Sequence, residues 1–231
     1  MEQMNKNNIS VIIRTKNEER WIGHTIQSVL DQIYKPEIIV VDDYSTDNTI
    51  NVIKSFRENV SLKKKNSSKN NYTAIKIFNI DDYSPGRALN YGVKKASREF
   101  ILIISAHCVL NKISLNNHIK DLKKNVCVFG NQIPLWNGRR INKRYIWSHF
   151  INKRVKNMYS KLEKRYFLHN ALAIYKKSFL KKNKFDENLV GKEDRYWANQ
   201  VISRRKNILY DPSLEANHHY TPHGNTWRGL G

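Results

Sequence analysis

Short apolar runs alternate with amphipathic stretches through the first 130 residues. Residues 9–14 (ISVIIR), 37–41 (EIIVV), 74–78 (AIKIF), 100–104 (FILII) and 126–130 (VCVFG) are apolar and rich in β-branched side chains, and each predicts a buried strand. Between the first two, Trp21, Ile22, Ile26, Val29, Leu30 and Ile33 recur at helical spacing. Asn17 is placed to cap that helix, with Glu18 and Glu19 in its first turn and Pro36 beyond its end. A second helix starts at Ser45 or Thr46 and carries Ile50, Ile53 and Phe56. Ser84-Pro85, a cap followed by proline, opens a third, with Ala88, Leu89, Val93 and Ala96 along it. Ser114 starts a fourth, and the polar segment 58–73 predicts a surface loop.

This alternation predicts an α/β fold with a mostly parallel sheet flanked by helices. Ligands of such sheets bind beyond the carboxyl ends of the strands, which singles out residues 14–17, 42–47 and 105–108. After about residue 134 the regularity weakens. Residues 138–165 predict helix, 171–175 (ALAIY) a strand and 193–204 another helix, and the tail from Asn217 is rich in His, Gly and Trp. The expectation is a single domain over 1–231, in two halves, 1–130 and a smaller 131–231.

Composition sharpens this picture in two ways. Lys and Arg total 41 against 20 Asp and Glu, a formal net charge of +21. Such a chain attracts anions: nucleic acid, anionic lipid headgroups or phosphorylated small molecules. No nucleic-acid-binding motif accompanies the charge, and no nucleic-acid partner is expected. Cys108 and Cys127 form neither a disulfide framework nor a CxxC site, and read as small buried residues of a reducing compartment. The N-terminal MEQMNKNN lacks the apolar core of a signal peptide. No apolar run approaches the ~20 residues that span a bilayer. The expected location is therefore the cytoplasm, with peripheral contact to the inner face of the membrane through the basic surface.

The strand ends carry the candidate chemistry. Asp42 and Asp43 stand side by side after the second strand. Adjacent carboxylates repel, so they need a ligand, a cation or a donor nearby. A carboxylate there can accept from a ribose hydroxyl or a base N–H. Glu193-Asp194 follows Gly191 at the start of a helix, where acids also suit the helix dipole.

The succession strand, Asn-Glu segment, strand, VDDYSTDNT resembles the start of family 2 glycosyltransferases of the GT-A, Rossmann-like type. GRALNYGVKKA (86–96) before strand FILII is similar to that family's Gly…Asn-x-Gly…Ala pattern. The likeness covers about residues 9–110 well and the rest loosely. It implies transfer of a sugar from a nucleotide-sugar donor to a hydroxyl of a glycan or lipid-linked acceptor in cell-surface polysaccharide or glycolipid assembly, with inversion. It further implies that Asp43 binds base or ribose with Asp42 in support, that Arg14, Thr15 and Asn17 line the same pocket, and that Arg87 and Asn90 lie near the donor. Arg87 would offer its guanidinium to the diphosphate. Asp194 would be the catalytic base, with Glu193 beside it, since the attacking hydroxyl must lose a proton.

One departure stands out. Where the family places Asp-x-Asp to hold a divalent cation, Mn²⁺ or Mg²⁺, this chain has Ser105-Ala106-His107. Mg²⁺ prefers oxygen ligands, whereas Mn²⁺ and Zn²⁺ accept imidazole. Either His107 ligates a softer cation together with a histidine of 217–219, His219 being the candidate, or basic residues neutralise the diphosphate without metal. The tail (218–229) would close over the donor as a lid. The basic aromatic segment with Trp136, Tyr145, Trp147, Tyr159 and Tyr166 would face the acceptor, because aromatic rings stack on sugar faces. It also suits an anionic membrane surface. The alternatives are an inactive nucleotide-sugar binder of the same fold, motivated by the missing carboxylates, and a basic nucleic-acid-binding module, motivated by charge and aromatics.

Overall fold

The computed structural model describes residues 8–64, 73–222 and 224. Strand β1 (Ile9–Thr15), β2 (Glu37–Asp42) and β4 (Phe100–Ser105) are buried along almost their whole length, as expected of strands covered on both faces. β3 (Ala74–Asn79) completes the parallel part, in the order β3-β2-β1-β4. Their connections are helices α1 (Ile22–Gln32), α2 (Thr49–Lys64) and α3 (Pro85–Lys95). Alternate residues serve opposite faces. Ile12, Ile39, Ile101 and Ile103 join one core with α3; Val11, Ile13, Ile38, Leu102 and Ile104 join the other with α1 and α2.

The sheet then continues with strands from later in the chain. β5 (Cys108–Lys112), α4 (Leu115–Asp121), β6 (Cys127–Trp136) and the short β7 (Arg139–Arg140) come first. A 3-10 turn (Tyr145–His149), the short strands β8 (Val155–Lys156), β9 (Tyr159–Ser160) and β10 (Arg165–Tyr166), and β11 (Leu172–Lys176) follow. Helices α5 (Lys177–Lys182) and α6 (Glu193–Ser203) precede the final strand, β12 (Ile208–His219). The full path is β3-β2-β1-β4-β11-β6-β12-β5 in a ten-stranded sheet, with β7 on β6 and β8 on β12. β11 runs antiparallel to both β4 and β6, so the second half of the chain is woven into the first rather than appended to it.

Register places the ligand end of the sheet. Arg14 pairs with Val41 on one side and Ser105 on the other, and Thr15 pairs with Asp42. From β1 the chain steps outward through β2 and β3 and then returns through α3 to β4 on the other side of β1, so the crevice at the carboxyl ends of β1 and β4 is the topological switch point.

Several expectations need correction. Asn17 has φ 53° and does not cap α1, which starts at Ile22 behind Trp21. Instead, the loops after β1 and β2 staple each other. Thr46 N donates to Asn17 Oδ1, Asn17 N to Ser45 Oγ, Glu18 N to Thr49 Oγ1 and Asn48 N to Glu19, at 2.7–2.9 Å. Short polar side chains prefer such backbone partners when a facing loop offers them. α2 accordingly starts at Thr49, whose N–H bonds to Asp47 Oδ1. It runs on to Lys64, Val60 packing on the core, so 58–64 are helical; the remainder of the expected loop, 65–72, lies outside the described residues. Residues 138–165 form no long helix. Left-handed residues at Asn137, Gly138, Tyr145, Asn157 and Lys164 break the segment every few positions. β12 hides in sequence because Pro212 sits in its bulge between Asp211 and Glu215, and it includes Asn217 to His219 of the expected tail. His223 and 225–229 of the expected lid lie outside the described residues.

At the opposite end of the sheet, Glu37 is buried and accepts from Lys76 Nζ (2.6 Å), Ser97 N (2.7 Å) and the Ser10 hydroxyl. Burial opposes its charge, but these bonds outweigh it and lower the carboxyl pKa. A lowered folded-state pKa stabilises above the ordinary carboxylate range and is lost as pH falls through the folded value. Glu37→Gln is therefore expected to destabilise the chain by about 1–3 kcal/mol at pH 7. In urea denaturation that difference should shrink in acid; a difference unchanged down to pH 3 would contradict the assignment.

Candidate active site

A cavity of about 740 Å³ opens at the carboxyl ends of β1, β2 and β4. On one wall, Asp43 pairs with Lys16 Nζ at 2.8 Å, and Thr15 Oγ1 is buried without a hydrogen-bond partner. Asp42 turns away and accepts from Ser45 N (2.8 Å) and Ser45 Oγ (2.5 Å). The two adjacent carboxylates thus each have their own donor, and only Asp43 lines the cavity.

The opposite charge cluster stands at the start of α6. Lys192 at φ 61° turns the chain, leaving Glu193 and Asp194 in the first turn, each 5% exposed. Glu193 meets Arg14 Nη1 at 3.2 Å. Asp194 Oδ2 accepts from Asn170 N (3.0 Å), and Oδ1 from Arg195 N (2.8 Å) and Arg195 Nη1 (2.9 Å). Arg195 Nε in turn meets Glu163 at 3.0 Å. Burial works against both acids, yet Arg195 and the Asn170 amide hold the Asp194 pKa down. Glu193 goes up, since burial and the Asp194 charge exceed the help from Arg14. Two neighbouring carboxyls are thereby separated in acidity.

Below the cavity floor runs a chain of buried polar side chains. Glu18 Oε1 lies 2.9 Å from His107 Nδ1, and His107 Nε2 lies 3.1 Å from His218 Nε2. His218 Nδ1 lies 2.7 Å from Gln132 Oε1, and Gln132 Nε2 lies 2.9 Å from His169 Nδ1. Burial, with Arg195 nearby, pushes the His169 pKa down to about 3, and burial lowers His218 strongly. Both rings are neutral.

Arg14, Thr15, Asp43, Ser105, His107, Glu193 and Asp194 thus meet in one cavity. Asn17, Asp42, Arg87 and Asn90 do not line it. Arg87 is engaged with Asp82 and Glu187. Asn90 holds the backbone of Phe185 on both its N–H and C=O and also binds Glu187. A Cβ on Gly86 would lie 2.1 Å from Asp186 O. The GRALN stretch therefore docks the segment leading into α6. His219 stacks on Trp21 at 3.8 Å, while His218 meets His107. Trp147 belongs to the core, whereas Trp136, Tyr145 and Tyr159 are exposed.

The sequence reading placed Lys16 within the 14–17 segment and His218 among the histidines of 217–219, but missed His169, Asn170 and Arg195 on the cavity wall and Gln132 beneath it. His169 and Asn170 precede an antiparallel strand. Ser105 N bonds to Ala171 O, so the start of β11 sits beside the end of β4. A search limited to the carboxyl ends of strands passes over it. Adjacency to Asp194 was the available signal for Arg195.

A divalent cation finds a partial donor set here. Among the described residues no group of three or more His, Cys, Asp or Glu is gathered. His107 and His218 nevertheless converge their Nε2 atoms, with Glu18 and Gln132 behind the opposite nitrogens, the arrangement that orients metal-binding imidazoles. This pair suits Mn²⁺ or Zn²⁺ better than Mg²⁺, with further ligands coming from substrate oxygens and water.

Fold and site together define a GT-A-type α/β protein with its cavity at the switch point. A model of glycosyl transferase family 2 matches residues 10–183, and the chain belongs to that family. It is 32% identical over 121 residues, 51% of its length, to the dolichyl N-acetyl-alpha-D-glucosaminyl phosphate 3-beta-D-2,3-diacetamido-2,3-dideoxy-beta-D-glucuronosyltransferase of Methanococcus voltae, of which it covers 35%. It is 25% identical over 209 residues, 87% of its length, to the poly(ribitol-phosphate) beta-N-acetylglucosaminyltransferase TarS of Staphylococcus aureus, of which it covers 34%. The chain spans about a third of the length of these two relatives. Its fold matches the mannosyltransferase PcManGT from Pyrobaculum calidifontis, solved with GDP-Man and Mn²⁺, with a TM-score of 0.68 at 18% identity, covering 94% of this chain and 58% of that one.

The charge cluster makes a stability prediction. Arg195→Met leaves Asp194 and Glu163 uncompensated in the interior and is expected to cost about 3–5 kcal/mol. Adding Glu163→Gln should restore part of that loss in urea denaturation; a double variant no better than the single one would show that Glu163 is not held by Arg195.

Proposed function

We propose that this chain transfers a sugar from a nucleotide-sugar donor to a hydroxyl of a glycan or lipid-linked acceptor, with inversion, in cell-surface polysaccharide or glycolipid assembly. The observation that carries this is one cavity presenting Asp43 with Lys16 on one wall and a buried, ionised Asp194 on another. Family membership and the transferase names of its relatives support the reading.

Asp43 accepts from the base or ribose of the donor, in the half formed mainly by residues 1–130. Asp194 takes the proton of the acceptor hydroxyl as its oxygen attacks the anomeric carbon. The anomeric carbon–oxygen bond breaks at the same time, and its electron pair leaves on the nucleoside diphosphate. Arg14 and Lys16 stand in the cavity as cations for the developing charge. Glu193 keeps Arg14 in place. When bound, a divalent cation on His107 and His218 would neutralise diphosphate charge. The acceptor side falls to residues 131–231, where exposed Trp136, Tyr145 and Tyr159 offer faces for sugar stacking. Among the described residues no helix is long and apolar enough to cross a membrane. The exposed basic residues Arg139, Arg140, Arg144, Lys153 and Lys161 support contact with an anionic membrane surface. That fits the expected placement on the inner face of the membrane.

Asp194→Asn is expected to reduce turnover by about 10²–10⁴-fold while leaving donor affinity nearly unchanged, in a transfer assay paired with calorimetric donor titration. Retained turnover would remove Asp194 as the base.

A further inference from the structure

We propose that Gln132 is a positioning residue that sets the tautomers of His169 and His218 together, so that His218 turns an unprotonated Nε2 towards His107. The chain of reasoning starts from a backbone amide. Ala171 N donates to His169 Nδ1 at 3.4 Å, so that nitrogen is an acceptor and the neutral His169 carries its proton on Nε2. Gln132 approaches the same Nδ1 at 2.9 Å and must do so with its amide nitrogen. The carboxamide orientation is thereby fixed, and Gln132 Oε1 faces His218 Nδ1 at 2.7 Å. An oxygen acceptor requires His218 to be protonated on Nδ1. With Nδ1 donating to Gln132, the nitrogen left to face His107 Nε2, at 3.1 Å, is His218 Nε2. Glu18 asks the same of His107 from the other side, accepting from its Nδ1.

Two imidazoles each donating outward from Nδ1 would face each other with lone pairs on Nε2. That is unfavourable unless a cation sits between them. Gln132 is fully buried. It touches neither nucleotide nor sugar in the proposed mechanism, and it acts by building a cation-accepting pair on the cavity floor. The tautomers stand on geometry alone; their bearing on catalysis rests on the transferase reading.

Long-range ¹⁵N–¹H correlation spectra of the whole chain, without added metal and then titrated with Mn²⁺-matched diamagnetic Zn²⁺, test this. In the wild type, His218 should show a protonated Nδ1 and His169 a protonated Nε2. Gln132→Leu should release His218 towards the other tautomer and weaken Zn²⁺ affinity by about 10–100-fold. Gln132→Glu should keep both the His218 tautomer and the metal affinity, because a carboxylate still accepts from Nδ1. It should move only His169, whose Nδ1 can no longer face an amide donor. A purely structural role would not split the two histidines in this way. A wild-type His218 protonated on Nε2 overturns the proposal, as does a Gln132→Leu variant with unchanged tautomers and metal affinity. If Gln132→Leu fails to fold, the wild-type and Gln132→Glu spectra decide alone. Wild-type tautomers as assigned, in a chain that transfers no sugar, would overturn the transferase reading and leave this one intact.

Discussion

Two carboxylates side by side, almost wholly removed from water, can persist only between cations. Glu193 and Asp194 lie between Arg14, delivered by the central parallel strand, and Arg195, anchored in turn by Glu163. The parallel register of β1 with β4 and β2 sets where Arg14 stands, and therefore where the start of α6 can dock. Gly86 and Asn90 make the same docking possible from α3, one by lacking a side chain and the other by holding the Phe185 backbone. Removing either arginine leaves a buried carboxylate without its partner, which costs more than the contact itself contributes.

The electrostatic consequence is a division of labour between neighbours. Asp194 is held ionised by Arg195 and the Asn170 amide, while Glu193 is held closer to neutrality by burial. At and beneath the floor of the cavity, His107 and His218 turn their Nε2 atoms towards each other, with Glu18 and Gln132 on the opposite nitrogens.

The parallel half was legible because strands buried on both faces spell continuous apolar runs, as ISVIIR, EIIVV and FILII do. The helix caps were less legible. Asn17, Ser45 and Thr46 have the chemistry of caps, but a facing loop competed for them and won. β12 was illegible because Pro212 and a bulge interrupt its alternation. Of the site, Asp43, His107, Glu193 and Asp194 could be found from position alone, since each ends a strand or begins a helix. His218 and His219 could not be told apart, because only a strand assignment sends neighbours to opposite faces. Arg87 and Asn90 illustrate the converse: the motif around them was visible, but its contacts with the Phe185–Glu187 segment were not.

Calorimetric titration of the purified chain with UDP- and GDP-linked sugars, with and without Mn²⁺, tests the central claim most directly. Saturable one-to-one binding of one nucleotide class, weakened by Asp43→Ala and strengthened by Mn²⁺, is the result expected of this cavity. No binding of any such donor, with Mn²⁺ present, would contradict the assignment of the switch-point cavity to a nucleotide sugar.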